Sequence, residues 1–142
     1  MKVLVTGGAG FIASHVVDAY VSRGHEVTIV DDLSSGQLEN VNAKAELVVA
    51  DLRDPATIEK LRGRGFDLVN HHAAQIDVRV SVADPAADAE LNIVAALRLF
   101  ALQGGDALPK SRCGRLQLFG AITQLLRHGL QAGAVIASHA IH

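Results

Sequence analysis

The chain has 142 residues, of which 49% are hydrophobic and 20% charged, with 13 glycines, 3 prolines and a single cysteine. This composition is typical of a soluble globular domain, and it excludes a disordered chain, a collagen-like repeat and a disulfide scaffold. A domain of this length buries about two-thirds of the surface that its unfolded chain exposes, so one core is expected. The net charge of −2 provides no basic field, and we expect no nucleic-acid partner.

The distribution of charge changes along the chain. All 15 acidic residues lie before residue 107, whereas residues 107–142 carry four basic residues and no acid. We therefore divide the chain into a domain over residues 1–100 and an atypical tail over residues 101–142, for which truncation or a frameshift is the hypothesis. Cys113 has no partner for a disulfide within the chain, and Met1 leads directly into a strand pattern rather than a signal peptide. Both features favour a cytoplasmic location.

The first predicted elements are a strand, a glycine turn, a helix and a second strand. Residues 3–5 are apolar and stop at the glycine-rich residues 6–10, after which apolar residues recur at helical spacing to Tyr20. Gly24 ends the helix as a left-handed cap, and residues 26–30 form a strand that stops at an aspartate pair. This order predicts a βαβ unit.

The following elements repeat the alternation of strands and helices. We predict a third strand at residues 46–50, a short helix from Asp54-Pro55 to Leu61, a fourth strand at residues 66–71 and a long helix from Asp84-Pro85 onward. Continuous apolar strands that alternate with helices favour a parallel sheet covered on both faces. The predicted fold class is α/β, a Rossmann-like doubly wound parallel sheet of about four strands.

Two helices are predicted in the tail, over residues 116–126 and 130–141. The second is apolar, but about twelve residues are fewer than the roughly 20 that cross a bilayer, so we expect no membrane partner. Arg127 and His128, just before this helix, interrupt the apolar face of the tail, which favours packing over an exposed sheet edge above binding to a membrane surface. Self-association through that edge is a further expectation.

The glycine turn carries the chemistry. Gly8-x-Gly10-x-x-Ala13, or equally Gly7-x-x-Gly10-x-x-Ala13, lies between a strand and a helix, where glycines let the backbone approach a pyrophosphate at the helix N-terminus. Asp31 follows at the end of the second strand, from which a carboxylate reaches the ribose hydroxyls. Residues 24–43 contain no Lys or Arg to hold a 2′-phosphate, so NAD is predicted in preference to NADP. The alternative is that the two aspartates only end a strand and begin a turn.

Residues 6–15 (TGGAGFIASH) resemble the signature of the extended short-chain dehydrogenase/reductases, and most nearly that of the NAD-dependent nucleotide-sugar epimerases and dehydratases. Further segments are similar to the same family in the same order: residues 31–36 (DDLSSG), 51–54 (DLRD), 71–75 (HHAAQ), and Asn92 in ELN. The resemblance covers about residues 1–100. Several motifs in one order are more specific than any motif alone.

The resemblance implies a set of cofactor-binding residues: Gly7, Gly10, Phe11 and Ile12 at the pyrophosphate, Asp31, Asp32 and Ser35 at the ribose, Asp51 and Leu52 at the adenine, and Ala73, Ala74 and Gln75 beside the nicotinamide. Asn70 and His72 depart from the family, which has apolar residues there. His71 and His72 are neighbours on a strand and point to opposite faces, so no metal site is predicted.

No catalytic residue is predicted. The resembled family transfers protons with a Tyr-x-x-x-Lys pair, whereas Tyr20 is the one tyrosine here and is followed four positions later by Gly24, so we interpret it as a packing residue. We expect the chain to be the NAD-binding part of a nucleotide-sugar epimerase or dehydratase. It would be inactive alone and would take a nucleotide-sugar substrate once a complete site is assembled. The alternatives are a non-catalytic dinucleotide-binding module and an unstable gene fragment.

Overall fold

A computed structural model describes residues 1–103 and the backbone of residues 115–118. Five parallel strands form one sheet in the order β3-β2-β1-β4-β5. The strands are β1 (Lys2–Thr6), β2 (Glu26–Asp31), β3 (Glu46–Val49), β4 (Leu68–His71) and β5 (Arg115–Leu118). The helices are α1 (Phe11–Ser22), α2 (Pro55–Leu61), α3 (Val78–Ala83), α4 (Pro85–Ala89), a π-helical segment (Glu90–Ala95) and α5 (Ala96–Gln103), with a 3₁₀ turn at Leu38–Asn40.

The sheet is covered on both faces because alternate residues of each strand point to opposite sides. On one face, Val3 and Val5 of β1 belong to a buried cluster with Val17 of α1. On the other face, Leu4 packs in a second cluster that includes Leu99 of α5. Two buried faces explain the continuous apolar runs in the strands, and the predicted Rossmann-like α/β class is confirmed.

Side-chain caps fix the starts of three short helices. Asp54, Asp77 and Asp84 accept the backbone N–H groups of Ala56, Arg79 and Ala87 at the first turns of α2, α3 and α4. Such caps satisfy N–H groups that have no partner inside the helix. Asp54 and Asp84 each precede a proline at the first helical position, as the sequence predicts, whereas α3 was not predicted.

The region after β4 differs from the sequence-based prediction in the number of strands. Residues 115–118 form β5, which pairs in parallel with β4 from Leu68↔Arg115 to His71↔Leu118. The predicted helix over residues 116–126 is therefore wrong at residues 116–118, and β4 is not an edge strand. Pairing with β4 satisfies backbone groups that an edge would expose, which local periodicity does not report. The remaining tail predictions lie outside the described residues.

The long helix predicted from Pro85 is observed, with one irregularity. The π-helical segment interrupts it between α4 and α5 and buries Asn92 and Ala95. Single-turn π segments are found inside α-helices, frequently at functional sites. Within residues 1–103, no helix combines the length and the hydropathy needed to cross a membrane.

Candidate cofactor site

A cavity of about 1140 Å³ lies at the carboxyl ends of β1, β2 and β4. The strand order reverses between β2 and β4 on either side of β1, and this is the position at which open α/β sheets bind ligands. Eleven of the twelve predicted site residues line the cavity: Gly7, Gly10, Phe11, Ile12, Asp31, Asp32, Ser35, Asp51, Leu52, Ala73 and Ala74. Gln75 does not line it.

The turn between β1 and α1 depends on Gly7. Its φ is +67°, a conformation that residues with a Cβ rarely adopt, and an added Cβ would lie 2.8 Å from the backbone nitrogen of Ala73. The Gly7 N–H donates to the Val30 carbonyl at 2.8 Å, and the Gly10 N–H donates to the Gly7 carbonyl at 3.0 Å. Gly8 instead packs against Ile29, so of the two possible motif spacings Gly7-x-x-Gly10 forms the turn.

The N-terminus of α1 opens into the cavity. Gly10 is its N-cap and supplies no side-chain acceptor, which leaves the first N–H groups of the helix for another partner. Phe11 and Ile12 are exposed there, at 78% and 70%. These N–H groups and the positive end of the helix dipole form a site for an anion such as a pyrophosphate. Ala13 is buried where α1 meets the sheet, as the motif predicts.

Asp31 is buried and held by backbone groups at the end of β2. Its Oδ2 accepts the Ala9 N–H and its Oδ1 accepts the Leu33 N–H, both at 2.9 Å. Leu33 has a φ of +58°, and Asp32 accepts both the backbone N–H and the hydroxyl of Ser34. Both aspartates therefore shape the turn, as the alternative interpretation holds, and both line the cavity as well. Carboxylate oxygens have further lone pairs for ribose hydroxyls.

Asp51 has a partner that the sequence analysis did not identify. Its carboxylate forms a salt bridge at 2.7 Å with Arg53 and also accepts the Arg53 backbone N–H at 2.8 Å. Hydrogen bonding by the Arg53 side chain holds the pKa of Asp51 below its usual range. The bond to Asp51, and to a smaller degree the negative charge of Asp32, raises the pKa of Arg53. Arg53 lies two residues after Asp51 in an exposed turn. This i, i+2 spacing is the sequence feature from which the ion pair could have been predicted.

The loop after β4 is held by the helix that follows it. Asn92 accepts the Gln75 N–H with Oδ1 at 2.8 Å and donates from Nδ2 to the Gln75 carbonyl at 3.1 Å. The same Nδ2 donates to Asp88, and the Gln75 side chain accepts the Asp77 N–H. These bonds hold Gln75 within the loop, while Ala73 and Ala74 form the cavity wall.

Six polar side chains that line the cavity are not among the predicted site residues, and they include His15, Arg23 and Ser34. The cavity is also lined by Tyr20, Asn70 and His72, and Asn70 donates from Nδ2 to the Tyr20 hydroxyl at 3.2 Å. Burial lowers the pKa of His72. Strand alternation places Asn70 and His72 on the face that α1 covers. Their i, i+2 spacing could therefore have predicted that both lie on this side of the sheet. Among residues 1–103, no group of three or more His, Cys, Asp or Glu side chains has the arrangement of a metal site.

Comparison with known proteins gives a consistent result. The model of the NAD dependent epimerase/dehydratase family matches residues 3–108. The UDP-glucose 4-epimerase of Mycolicibacterium smegmatis is 44% identical over 104 residues, which cover 70% of this chain and 33% of that protein. The chain spans about a third of the length of the curated relatives it matches.

Solved structures agree on the fold. The UDP-glucose 4-epimerase of Thermotoga maritima with UDP-glucose is 43% identical with a TM-score of 0.69, over 72% of this chain and 34% of that one. The UDP-glucose 4-epimerase of Thermus thermophilus in complex with NAD is 45% identical with a TM-score of 0.66, over 72% of this chain and 33% of that one. The resemblance drawn from the motifs is confirmed, and the predicted cofactor is the one that the family description names.

Proposed function

Because the chain belongs to the NAD-dependent epimerase/dehydratase family, we propose that it forms the NAD-binding part of a nucleotide-sugar epimerase. One observation carries the proposal. A single cavity at the carboxyl ends of three strands is lined by the glycine turn, the aspartates that follow β2 and the alanines that follow β4. Such a site at a reversal of strand order suits a dinucleotide that extends across the sheet.

The residues present fit each part of the dinucleotide. The uncapped N-terminus of α1 supplies N–H groups for the pyrophosphate, and the Gly7 turn keeps that approach clear of a Cβ. Asp31 supplies acceptors for the adenosine ribose, and Asp51 with Leu52 supplies an adenine pocket. Ala73 and Ala74 supply a small, flat wall for the nicotinamide ring.

The charges near the ribose favour NAD over NADP. Asp31, Asp32 and Asp51 all line this end of the cavity. Arg53 is a cation close to Asp51 and Asp32, and its guanidinium already bonds to Asp51. A 2′-phosphate would therefore meet a net negative region, which costs free energy at short range.

Bound NAD supplies a hydride acceptor and donor, which is the chemistry on which epimerisation at a sugar carbon depends. The residues of this chain bind and orient the dinucleotide. The one tyrosine, Tyr20, is four positions before Gly24 rather than a lysine, so the chain carries no Tyr-x-x-x-Lys pair to move a proton. We propose that the base and the nucleotide-sugar pocket come from polypeptide outside this chain. The substrate is then a nucleotide sugar, as in the similar epimerases solved with UDP-sugars.

A second candidate function follows from the same missing pair. A non-catalytic module that binds NAD would need the cavity and no base. The two candidates differ in whether a second polypeptide segment supplies the catalytic base and the sugar pocket. The epimerase part regains activity when the remaining two-thirds of a relative is supplied in trans, whereas the binding module does not. We propose a cytoplasmic location for both candidates. If the chain is instead an unstable fragment, it should self-associate, and size-exclusion chromatography would show species larger than a monomer.

Calorimetric titration of the purified chain with NAD and with NADP tests the proposal. We expect NAD to bind and NADP to bind at least about tenfold more weakly, a free-energy difference of about 1.4 kcal/mol. Asp31→Asn should weaken NAD binding because it removes the charge and one acceptor beside the ribose. Glu59→Gln is the matched control, since Glu59 pairs with Arg62 away from the cavity. Absence of NAD binding by the folded chain would refute the proposal.

A further inference from the structure

The two walls of the cavity are joined by Thr6, the last residue of β1. Its side chain is fully buried, and its register partner on β4 is His71. The Thr6 hydroxyl oxygen accepts the Ala73 N–H at 3.3 Å and the His72 N–H at 3.2 Å, the latter shared with the Thr6 carbonyl at 3.1 Å. The same oxygen lies 2.6 Å from Nδ1 of His71.

The number of lone pairs determines the direction of the short bond between Thr6 and His71. A hydroxyl oxygen has two lone pairs and one proton. The N–H groups of His72 and Ala73 already face the lone pairs, so the hydroxyl donates its proton to Nδ1 of His71. The ring is then neutral and carries its own proton on Nε2. Burial, and to a smaller degree the charge of His72, lowers the pKa of His71 to about 4, which agrees with a neutral ring.

The Thr6 hydroxyl lies beside the place where the backbones of Gly7 and Ala73 are close together. Gly7 follows Thr6 directly, and a Cβ on Gly7 would lie 2.8 Å from the Ala73 nitrogen, so these two backbone segments are in close contact. The hydroxyl of Thr6 bonds to the Ala73 N–H at this point of contact. Gly7 and Ala73 line the cavity, whereas neither Thr6 nor His71 does.

We propose that Thr6 and His71 are a positioning pair that holds Ala73 against the glycine turn and so sets the shape of the cofactor cavity between β1 and β4. The pair acts through Ala73 and without contact to the cofactor. His71 accepts the hydroxyl proton and thereby leaves both lone pairs of Thr6 directed at the loop. This inference rests on the proposed binding of NAD.

Three threonine variants of the whole chain test the pair. Thr6→Val keeps the side-chain shape and removes the hydroxyl, Thr6→Ser restores the hydroxyl, and Thr28→Val is the matched control. Thr28 is a buried strand threonine whose hydroxyl donates to Glu46 at 3.1 Å, and it does not line the cavity. We expect the dissociation constant for NAD to rise about tenfold in Thr6→Val, because the variant loses the bond that holds Ala73, and to stay near wild type in Thr6→Ser and Thr28→Val.

Nitrogen NMR of the wild-type chain provides a readout that does not depend on the cofactor. We expect His71 to show an unprotonated Nδ1 and a protonated Nε2 at neutral pH. If Thr6→Val does not fold, His71→Asn, which keeps an acceptor near Thr6, should bind NAD with near wild-type affinity, while His71→Leu should bind it up to about tenfold more weakly. Equal NAD affinity in wild type and Thr6→Val, or a protonated Nδ1, would overturn the pair. Failure of the wild type itself to bind NAD would instead refute the proposed function.

Discussion

The turn before α1 and the loop after β4 meet across the same cavity and are held in different ways. The turn takes its shape from local features, the left-handed conformation of Gly7 and the bond from Gly10 to the Gly7 carbonyl. Bonds to Val30 and Asp31 then attach it to the end of β2. The loop is fixed by side chains distant in sequence, Thr6 before it and Asn92 after it. A sequence motif can therefore predict the glycine turn from residue spacing, whereas the loop after β4 depends on contacts that form only in the folded chain.

Substitution of Gly7 should produce the largest effect on the turn. Gly7→Ala combines the unfavourable φ of +67° with a Cβ 2.8 Å from the Ala73 nitrogen. We expect a loss of about 3 kcal/mol in the free energy of unfolding and loss of NAD binding, measured by denaturant titration and calorimetry. Gly24→Ala is the control, because Gly24 has a φ of +77° and nothing within 4 Å of an added Cβ. It should cost about 1 kcal/mol and leave NAD binding intact. Equal costs in the two variants would contradict the close contact.

Low pH should destabilise the loop after β4 through protonation of His71. The lowered pKa, about 4 in the folded chain against 6.5 as the ordinary value, means that the unfolded state takes up the proton first as the pH falls. The His71 contribution to the free energy of unfolding should therefore be constant above pH 6.5 and decrease between pH 6.5 and 4 by at most about 1.4 kcal/mol per pH unit. The lowered pKa of His72 adds a slope of the same sign. Chemical denaturation across this range measures the slope. His71→Asn should reduce the slope and leave the part due to His72, and an unchanged slope in that variant would assign the whole effect to other groups.

Removal of the Asn92 side chain should affect the loop and leave the turn unchanged. Asn92 is buried and bonds to both backbone groups of Gln75, so Asn92→Ala should cost about 2 kcal/mol. Hydrogen exchange should become faster at residues 73–77 and stay unchanged at residues 7–10. Asn42→Ala, which removes an exposed bond to Asp18, is the control and should have little effect. Faster exchange at residues 7–10 as well would show that the Asn92 bonds also hold the turn, which contradicts the assignment of Asn92 to the loop.

The smallest effect is expected for the ion pair on the outer side of the loop. Arg79 pairs with Asp77 at 2.7 Å, but its side chain is exposed. Exposed pairs contribute little because water and salt screen them. Arg79→Ala should therefore leave the Tm and the NAD affinity unchanged within experimental error, as thermal unfolding with and without NAD would show. A clear fall in Tm would mean that the pair, and not Asn92 alone, holds the loop.

The same division explains how far the sequence predicts this molecule. The βαβ unit, the helix starts at Asp54 and Asp84 and a glycine turn before the first helix follow from local spacing, and these predictions agree with the structure. The choice of Gly7-x-x-Gly10 over Gly8-x-Gly10 comes from the structure, because spacing leaves both open. β5 was missed because its pairing with β4 is a tertiary contact. The family resemblance places Gln75 beside the nicotinamide, whereas in the structure Gln75 does not line the cavity and its backbone bonds to Asn92, 17 residues later. Sequence spacing does not report such a contact.

A titration of the isotope-labelled chain with NAD, followed by two-dimensional amide NMR, tests the central claim most directly. We predict saturable shifts that cluster at residues 7–12, 31–35, 51–52 and 73–74, with weaker changes for NADP at the same concentration. Shifts confined to other residues, or no shifts at a concentration of NAD that saturates a full-length relative, would contradict a dinucleotide site in this cavity.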